Sequence, residues 1–187
     1  EKYTNSEHFN DFAFKYFNKD QDLSRMWYYF REHTGEPKSL EEYIDFSMLI
    51  QAEALQTGSE HYLRRFPDCG GALIWQLNDC CACHSWSMID FDGIPKASWY
   101  YAKRFFSPVS VSLNAINDTD TEIWLHNGTH NTITSKITVC VGDFFGNTPY
   151  EETIELAVNP GSHKLKTIAA GGRFYPNVIL RNRPCII

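Results

Sequence analysis

No apolar stretch in this chain approaches the ~20 residues needed to cross a bilayer, so no membrane contact is expected. Basic clusters are equally scarce. The longest is Arg64-Arg65, and the formal net charge is −6. Nucleic-acid binders carry a basic patch, so a nucleic-acid partner is not expected either. No secretory leader opens the chain. Glu1-Lys2-Tyr3 is polar and lacks an apolar core segment, which reads as the middle of something larger. The cysteine cluster Cys80-Cys81-Ala82-Cys83-His84 has no second C-x-x-C to complete it. A zinc site takes two close ligands and two more distant ones, so neither a metal nor another cofactor is expected. The six cysteines bunch rather than spread as in a disulfide scaffold, and mostly reduced thiols are expected. Two glycosylation sequons, at Asn117 and Asn127, are too short a pattern to fix a compartment.

What is present is an ordinary globular composition, with 21% charged residues in 187, enough for one domain or two small ones. Short helices are expected over His8–Phe17 and Asp22–His33. Gly35-Glu36-Pro37 then breaks the chain. The clearest helix follows, announced by the capping box Ser39-Leu40-Glu41-Glu42. Leu40, Tyr43, Phe46, Ile50 and Ala54 recur at helical spacing, as does Tyr62, and Pro67 stops the run after about Arg65. Gly70–Leu77 is apolar without alternation and reads as a strand buried on both faces. A long helix feeding such a strand is an α/β signature. A loop over 78–96 and a short aromatic helix over Ala97–Phe106 complete this half.

After Pro108 the pattern changes. Val109–Leu113 alternates strictly, and so do parts of Glu122–Leu125, Ile133–Val141, Thr153–Val158 and Lys164–Ile168. The ~79 residues after Pro108 are few for an immunoglobulin-like domain of ~100, so either a last strand lies at Asn177–Arg181 or the domain is truncated. Breaks at Asn117-Asp118, Asn127-Gly128, Gly146-Asn147 and Asn159-Pro160-Gly161 separate the strands. Short alternating strands with such breaks argue a β-sandwich. The expected division is therefore 1–108 and 109–187.

One stretch carries more than periodicity. Cys69-Gly70-Gly71-Ala72-Leu73-Ile74-Trp75-Gln76-Leu77-Asn78-Asp79-Cys80 is followed by Ser85-Trp86-Ser87-Met88-Ile89-Asp90-Phe91-Asp92-Gly93. Pro95-Lys96-Ala97, Tyr100-Tyr101 and Lys103-Arg104-Phe105-Phe106-Ser107-Pro108-Val109 come next. This resembles the end of the catalytic barrel in glycoside hydrolase family 2, of the β-mannosidase and exo-β-glucosaminidase kind. The family pattern there is G-A-L-I-W-Q-L-N-D, then S-W-S-x-x-D-Y-x-G, then a helix ending R-F-F-A-P-V. The helix with Gln51-Ala52-Glu53-Ala54-Leu55 and Arg64-Arg65 matches the element before it. The match is close over about residues 36–110 and loose over 1–35.

The resemblance implies a fold of α/β plus all-β class: the last strand and helices of a TIM barrel, followed by an immunoglobulin-like β-sandwich. Gly71–Leu77 would be the eighth barrel strand, and the chain is shorter than the roughly 250 residues of a complete barrel. The implied chemistry is retaining hydrolysis of terminal β-linked sugars, which needs two carboxyl groups about 5 Å apart. The family's nucleophile motif, close to S-E-F-G, and the N-E pair of its acid/base are both missing. No catalytic residue is therefore assigned, and the chain alone is expected to be inactive. The implied partner is a carbohydrate, bound through the complete parent barrel. Mannoside and glucosaminide specificity, compartment and oligomeric state stay open.

Four residues are candidates for sugar contact. Trp75 can stack on a sugar ring, or be a core residue. Asn78 and Asp79 can hydrogen-bond hydroxyls, or cap the strand–loop junction. Trp86 can form a wall, or pack the loop. Asp90 and Asp92 read as turn residues. The family has C-W-P where this chain has Cys80-Cys81-Ala82, so an aromatic wall is lost there. The alternative function is a carbohydrate-binding or interaction module built on the sandwich, for which the Gly70–Leu77 segment would be superfluous.

Overall fold

The computed structural model describes residues 24–117, 119–142, 147, 150–169 and 175–181, the last segment and residue 169 through their backbone alone. The expected helix over His8–Phe17 lies outside these residues. The described chain groups into two compact units. One holds the residues up to Gly58 together with Leu73–Lys103; the other holds Ser59–Ala72 and the residues from Arg104 onward.

In the first unit, helix α1 (Ser24–Tyr29) runs into a π turn over Phe30–Thr34. Helix α2 (Leu40–Arg64) starts where the capping box places it. The Glu42 amide donates to Ser39 Oγ at 3.1 Å, while the Glu42 carboxylate accepts from the Lys38 amide at 2.6 Å. The box thus closes one residue further out than its usual form, still covering donors at a helix start. Tyr43 and Ile50 are buried with Phe30, and Met26, Trp27 and Phe46 pack around them. The apolar stripe stops short of its expected length, for Ala54 is exposed and Tyr62 is 46% exposed. Helix α3 (Ala97–Phe105) follows the loop.

The expected strand over Gly70–Leu77 does not form. The segment is irregular, with bends at Trp75 and Leu77; its exposure alternates along the chain, but it pairs with no strand. Leu73 is fully exposed and Trp75 is 75% exposed. A strand exists only through a partner's ladder of hydrogen bonds, and among the described residues the run receives only those from Met88 and Ile89, at its end. Instead of being buried on both faces, the run has a bare apolar side.

In the second unit, strands β1 (Val109–Ala115), β2 (Asp120–Asn127) and β5 (Gly161–Ala169) make one antiparallel sheet, ordered β1-β2-β5. Strands β3 (Ile133–Gly142), β4 (Tyr150–Val158) and β6 (Tyr175–Arg181) make a second, ordered β4-β3-β6. Each expected strand is found, most of them longer than the alternation showed. β2 alternates from end to end: Thr121, Ile123, Leu125 and Asn127 are buried, and the residues between them are not. Ile123, Leu125 and Ile168 of the first sheet meet Ile137, Val139, Val141 and Val158 of the second in one core. A bulge in β5 puts Leu165 opposite no β2 residue. The extra residue lets Leu165 and Ile168, three apart, both pack on the core. The end of α2 belongs to this unit: Leu63 O accepts from Ser162 Oγ at 2.6 Å, and Arg64 Nη1 donates to Ser112 Oγ at 3.1 Å.

Candidate functional site

The loop after Leu77 folds back on the end of the Gly70–Leu77 segment. Ile89 N donates to Leu77 O at 2.9 Å, Asp79 N to Ile89 O at 3.1 Å, and Met88 N to Gln76 O at 3.1 Å. Lys96 N then donates to Met88 O at 2.9 Å, which brings the start of α3 into the same layer. The reversal between them is a tight turn at Asp90–Ile94. Asp90 Oδ1 accepts the Ile94 amide at 2.8 Å, and Gly93 takes a positive φ of 83° that side chains disfavour. Asp90 is thus a turn residue, as its sequence context suggested.

Asp79 is the centre of this fold-back. Its side chain is 1% exposed and faces Lys96, whose Nζ lies 3.4 Å from Oδ2. Ser87 Oγ donates to Oδ2 at 2.5 Å, Ser85 Oγ to Oδ1 at 2.6 Å, and the Cys83 thiol sits 3.7 Å from Oδ1. Lys96 Nζ also donates to Ser87 Oγ at 2.8 Å. A buried carboxylate is tolerable only when paired and hydrogen-bonded, and this one is both.

Beside it, Gln51 of α2 donates through Nε2 to Trp86 O at 2.7 Å and Ser87 O at 3.2 Å. Its Oε1 accepts from Ser98 Oγ at 3.0 Å. Ser87 and Ser98 are fully buried. One amide therefore ties α2, the loop and the first turn of α3 together.

The four candidates separate accordingly. Trp75 and Trp86 present exposed indoles, 75% and 42% accessible. Asn78 is exposed, and its amide donates to Asp79 O at 3.2 Å. Asp79 is buried inside its own network. Gln51, Ser85, Ser87, Lys96 and Ser98 escaped the sequence reading as site residues. Gln51, Ser85, Ser87 and Lys96 stand inside quoted motifs, but the bonds of Gln51 and Lys96 span 9 to 47 residues, and no local signal encodes them.

The cysteine cluster behaves as loop. Cys80 and Cys81 are exposed, and the His84 ring lies 6.0 Å from that of Tyr43. Burial pushes the Tyr43 phenol up to about 12, so it stays neutral beside that histidine. His126 and His130 stand in H-x-x-x-H spacing, yet His126 Nδ1 is held 2.7 Å from Ser162 Oγ. Among the described residues no three His, Cys, Asp or Glu side chains converge on a metal position.

No family profile matches the chain. Its sequence is 37% identical to β-mannosidase B of Aspergillus niger over 92 residues, which is 48% of this chain and 11% of that protein. Against β-mannosidase B of Aspergillus terreus the identity is 36% over the same length and shares. The chain thus spans about a tenth of the length of these curated relatives. Its fold superposes on the β-D-mannosidase of Dictyoglomus thermophilum with a TM-score of 0.81 at 28% identity, covering 96% of this chain and 22% of that one. The exo-chitosanase of Amycolatopsis orientalis gives 0.70 at 17% identity over 86% of this chain and 22% of its own, a likeness of fold alone. The run from Cys69 to Val109 and this agreement in fold make the chain similar to one segment of the β-mannosidase-type proteins of glycoside hydrolase family 2.

Proposed function

We propose that this chain is part of a retaining exo-β-glycosidase that removes terminal β-linked sugars, a β-mannoside being the first substrate to test. In this reading, residues 1–108 are the end of a (β/α)8 catalytic barrel and residues 109–187 an immunoglobulin-like β-sandwich. The observation that carries it is the superposition on a β-D-mannosidase over 96% of the chain. The bare apolar side of Leu73, Trp75 and Leu77 supports it. A barrel strand is flanked by two others, and the rest of the protein would supply them.

Catalysis would be carried by two glutamates outside this chain. The chain's contribution is the mouth of the site: Trp75 for stacking, Asn78 for a hydroxyl, Trp86 as a wall. A polar pair that reads a hydroxyl gives sharp discrimination, whereas stacking gives affinity. The test compares the complete protein with the 187-residue chain on p-nitrophenyl β-mannoside and β-glucosaminide. The complete protein is expected to turn over one of them with retention of configuration. The isolated chain is expected to be inactive, having no nucleophile. An inactive complete protein, or turnover by the isolated chain that survives repurification, overturns the reading.

A further inference from the structure

We infer that Asp79 is a positioning anchor rather than a sugar ligand, and that Lys96, Ser87 and Gln51 form a brace holding the Trp75–Asn78 segment and Trp86 in fixed relation. The inference rests on the glycosidase reading only in taking the side that bears Trp75 and Trp86 as the one a sugar meets.

The argument begins from the cost of a buried charge. Asp79 is 5% exposed, and its carboxylate is engaged by two serine hydroxyls and the Lys96 ammonium. A sugar hydroxyl reaching either oxygen would have to displace a serine and bring water or sugar into a closed layer. A ligand residue is instead expected to stand in the open, as the exposed Asn78 does on the neighbouring position.

What the network does is mechanical. Asp79 follows directly on the Trp75–Asn78 run, so fixing its carboxylate fixes the end of that run. Ser87 is the node. Its hydroxyl bonds Asp79 and receives Lys96, while its carbonyl receives Gln51. Gln51 also holds the carbonyl of Trp86. The carboxylate thus sets one indole-bearing segment and the amide sets the other, and both meet at one fully buried serine. Backbone bonds of Met88 and Ile89 with Gln76, Leu77 and Asp79 join the turn to the end of that run, and the side-chain network adds the ties to α2 and α3 that hold Trp86. Sites held to a fraction of an ångström need such a supporting shell.

The test uses the whole 187-residue chain and no sugar. Its five tryptophans give five indole N–H cross-peaks in heteronuclear NMR, assigned by single Trp→Phe substitutions. Lys96→Met is expected to move the Trp75 and Trp86 peaks and leave that of Trp124, on β2, in place. Lys96→Arg, which keeps the charge, is expected to return both toward their wild-type positions. Gln51→Leu removes the amide bonds and leaves the ion pair intact, so it is expected to move Trp86 and leave Trp75 in place. Unmoved Trp75 and Trp86 peaks in Lys96→Met, with Trp124 intact, overturn the inference. Should Lys96→Met displace every peak through loss of fold, Gln51→Leu decides by the same criterion on Trp86. Since no sugar enters this measurement, failure of the glycosidase assays does not disturb it, and failure here leaves those assays standing.

Discussion

Two asparagines in the sandwich make the same local bonds at different depths, and replacing each with alanine should separate burial from bonding. Asn117, between β1 and β2, accepts through Oδ1 from the Thr119 amide, the Thr119 hydroxyl and the Asp120 amide, and it is exposed. Asn127, at the end of β2, accepts from the Thr129 amide at 3.0 Å and the Thr129 hydroxyl at 2.6 Å. It is 1% exposed, and its Nδ2 donates to Asn131 O at 2.9 Å and Val158 O at 3.0 Å. That amide joins β2, the following turn and the last residue of β4. In Asn117→Ala water replaces the lost bonds, and the cost should be about 1 kcal/mol or less. In Asn127→Ala the Val158 carbonyl is left buried without its donor, a loss of roughly 1–3 kcal/mol, and the partly exposed groups of the turn add to it. The total should be about 3 kcal/mol, which at a slope of roughly 1.5 kcal/mol per molar lowers the urea midpoint by about 2 M. The assay is urea unfolding of the 187-residue chain followed through the β-sheet circular dichroism. Equal midpoint shifts for the two variants would refute the reasoning, because they would show that depth contributes nothing.

Other outcomes follow from the same structure. Burial, and then the nearby His163, lower the His126 pKa below its usual 6.5. The unfolded chain therefore binds the proton first, so this histidine's contribution to stability is complete above about pH 6.5 and is lost as pH falls through the folded-state value. His126→Gln should flatten the fall of the thermal midpoint between pH 7 and 5; an unchanged slope would assign it to other groups. Hydrogen bonds from Asn114, Trp124 and Lys164 hold the Glu122 carboxyl down to about 2. Its stabilising effect should accordingly be intact above pH 4.5 and vanish only as pH falls through about 2, an acid arm that Glu122→Gln removes. Ile137→Ala, in the fully buried core, should cost about 2–5 kcal/mol. Leu73→Ala in this chain should stay within about 0.5 kcal/mol, since the side chain touches little. In the complete protein the same substitution should cost about 2 kcal/mol or more if neighbouring strands cover it, as proposed above. Equal and negligible effects in both settings would count against a buried barrel strand.

How much of this was legible beforehand divides along a physical line. Wherever a property is set by neighbours a few residues away, the sequence alone determined it. Ser39 and Glu42 fix the start of α2 because a serine hydroxyl three residues from an amide is within reach whatever the rest of the chain does. Five of the six strands show because alternation at period two needs only one buried face, and β2 keeps it without a break. The run from Cys69 to Val109 carried the resemblance for a different reason: a long run of particular residues holds information that periodicity does not.

The tertiary structure decided whatever depended on a distant partner. Gly70–Leu77 has the composition of a buried strand, yet a ladder needs a second strand, and none is supplied among the described residues. Tyr62 continues the helical stripe in sequence but emerges into solvent beyond the packed face of α2. The end of that helix serves the sandwich, through Leu63 and Arg64, because bonds to Ser162 and Ser112 form only after both have folded. Asp79, one of four polar and aromatic candidates in sequence, became the buried one when Ser87 and Lys96 closed over it from 8 and 17 residues away. A carboxylate in a loop is available to a ligand or committed to an ion pair according to what folds against it, and that is a property of the tertiary structure.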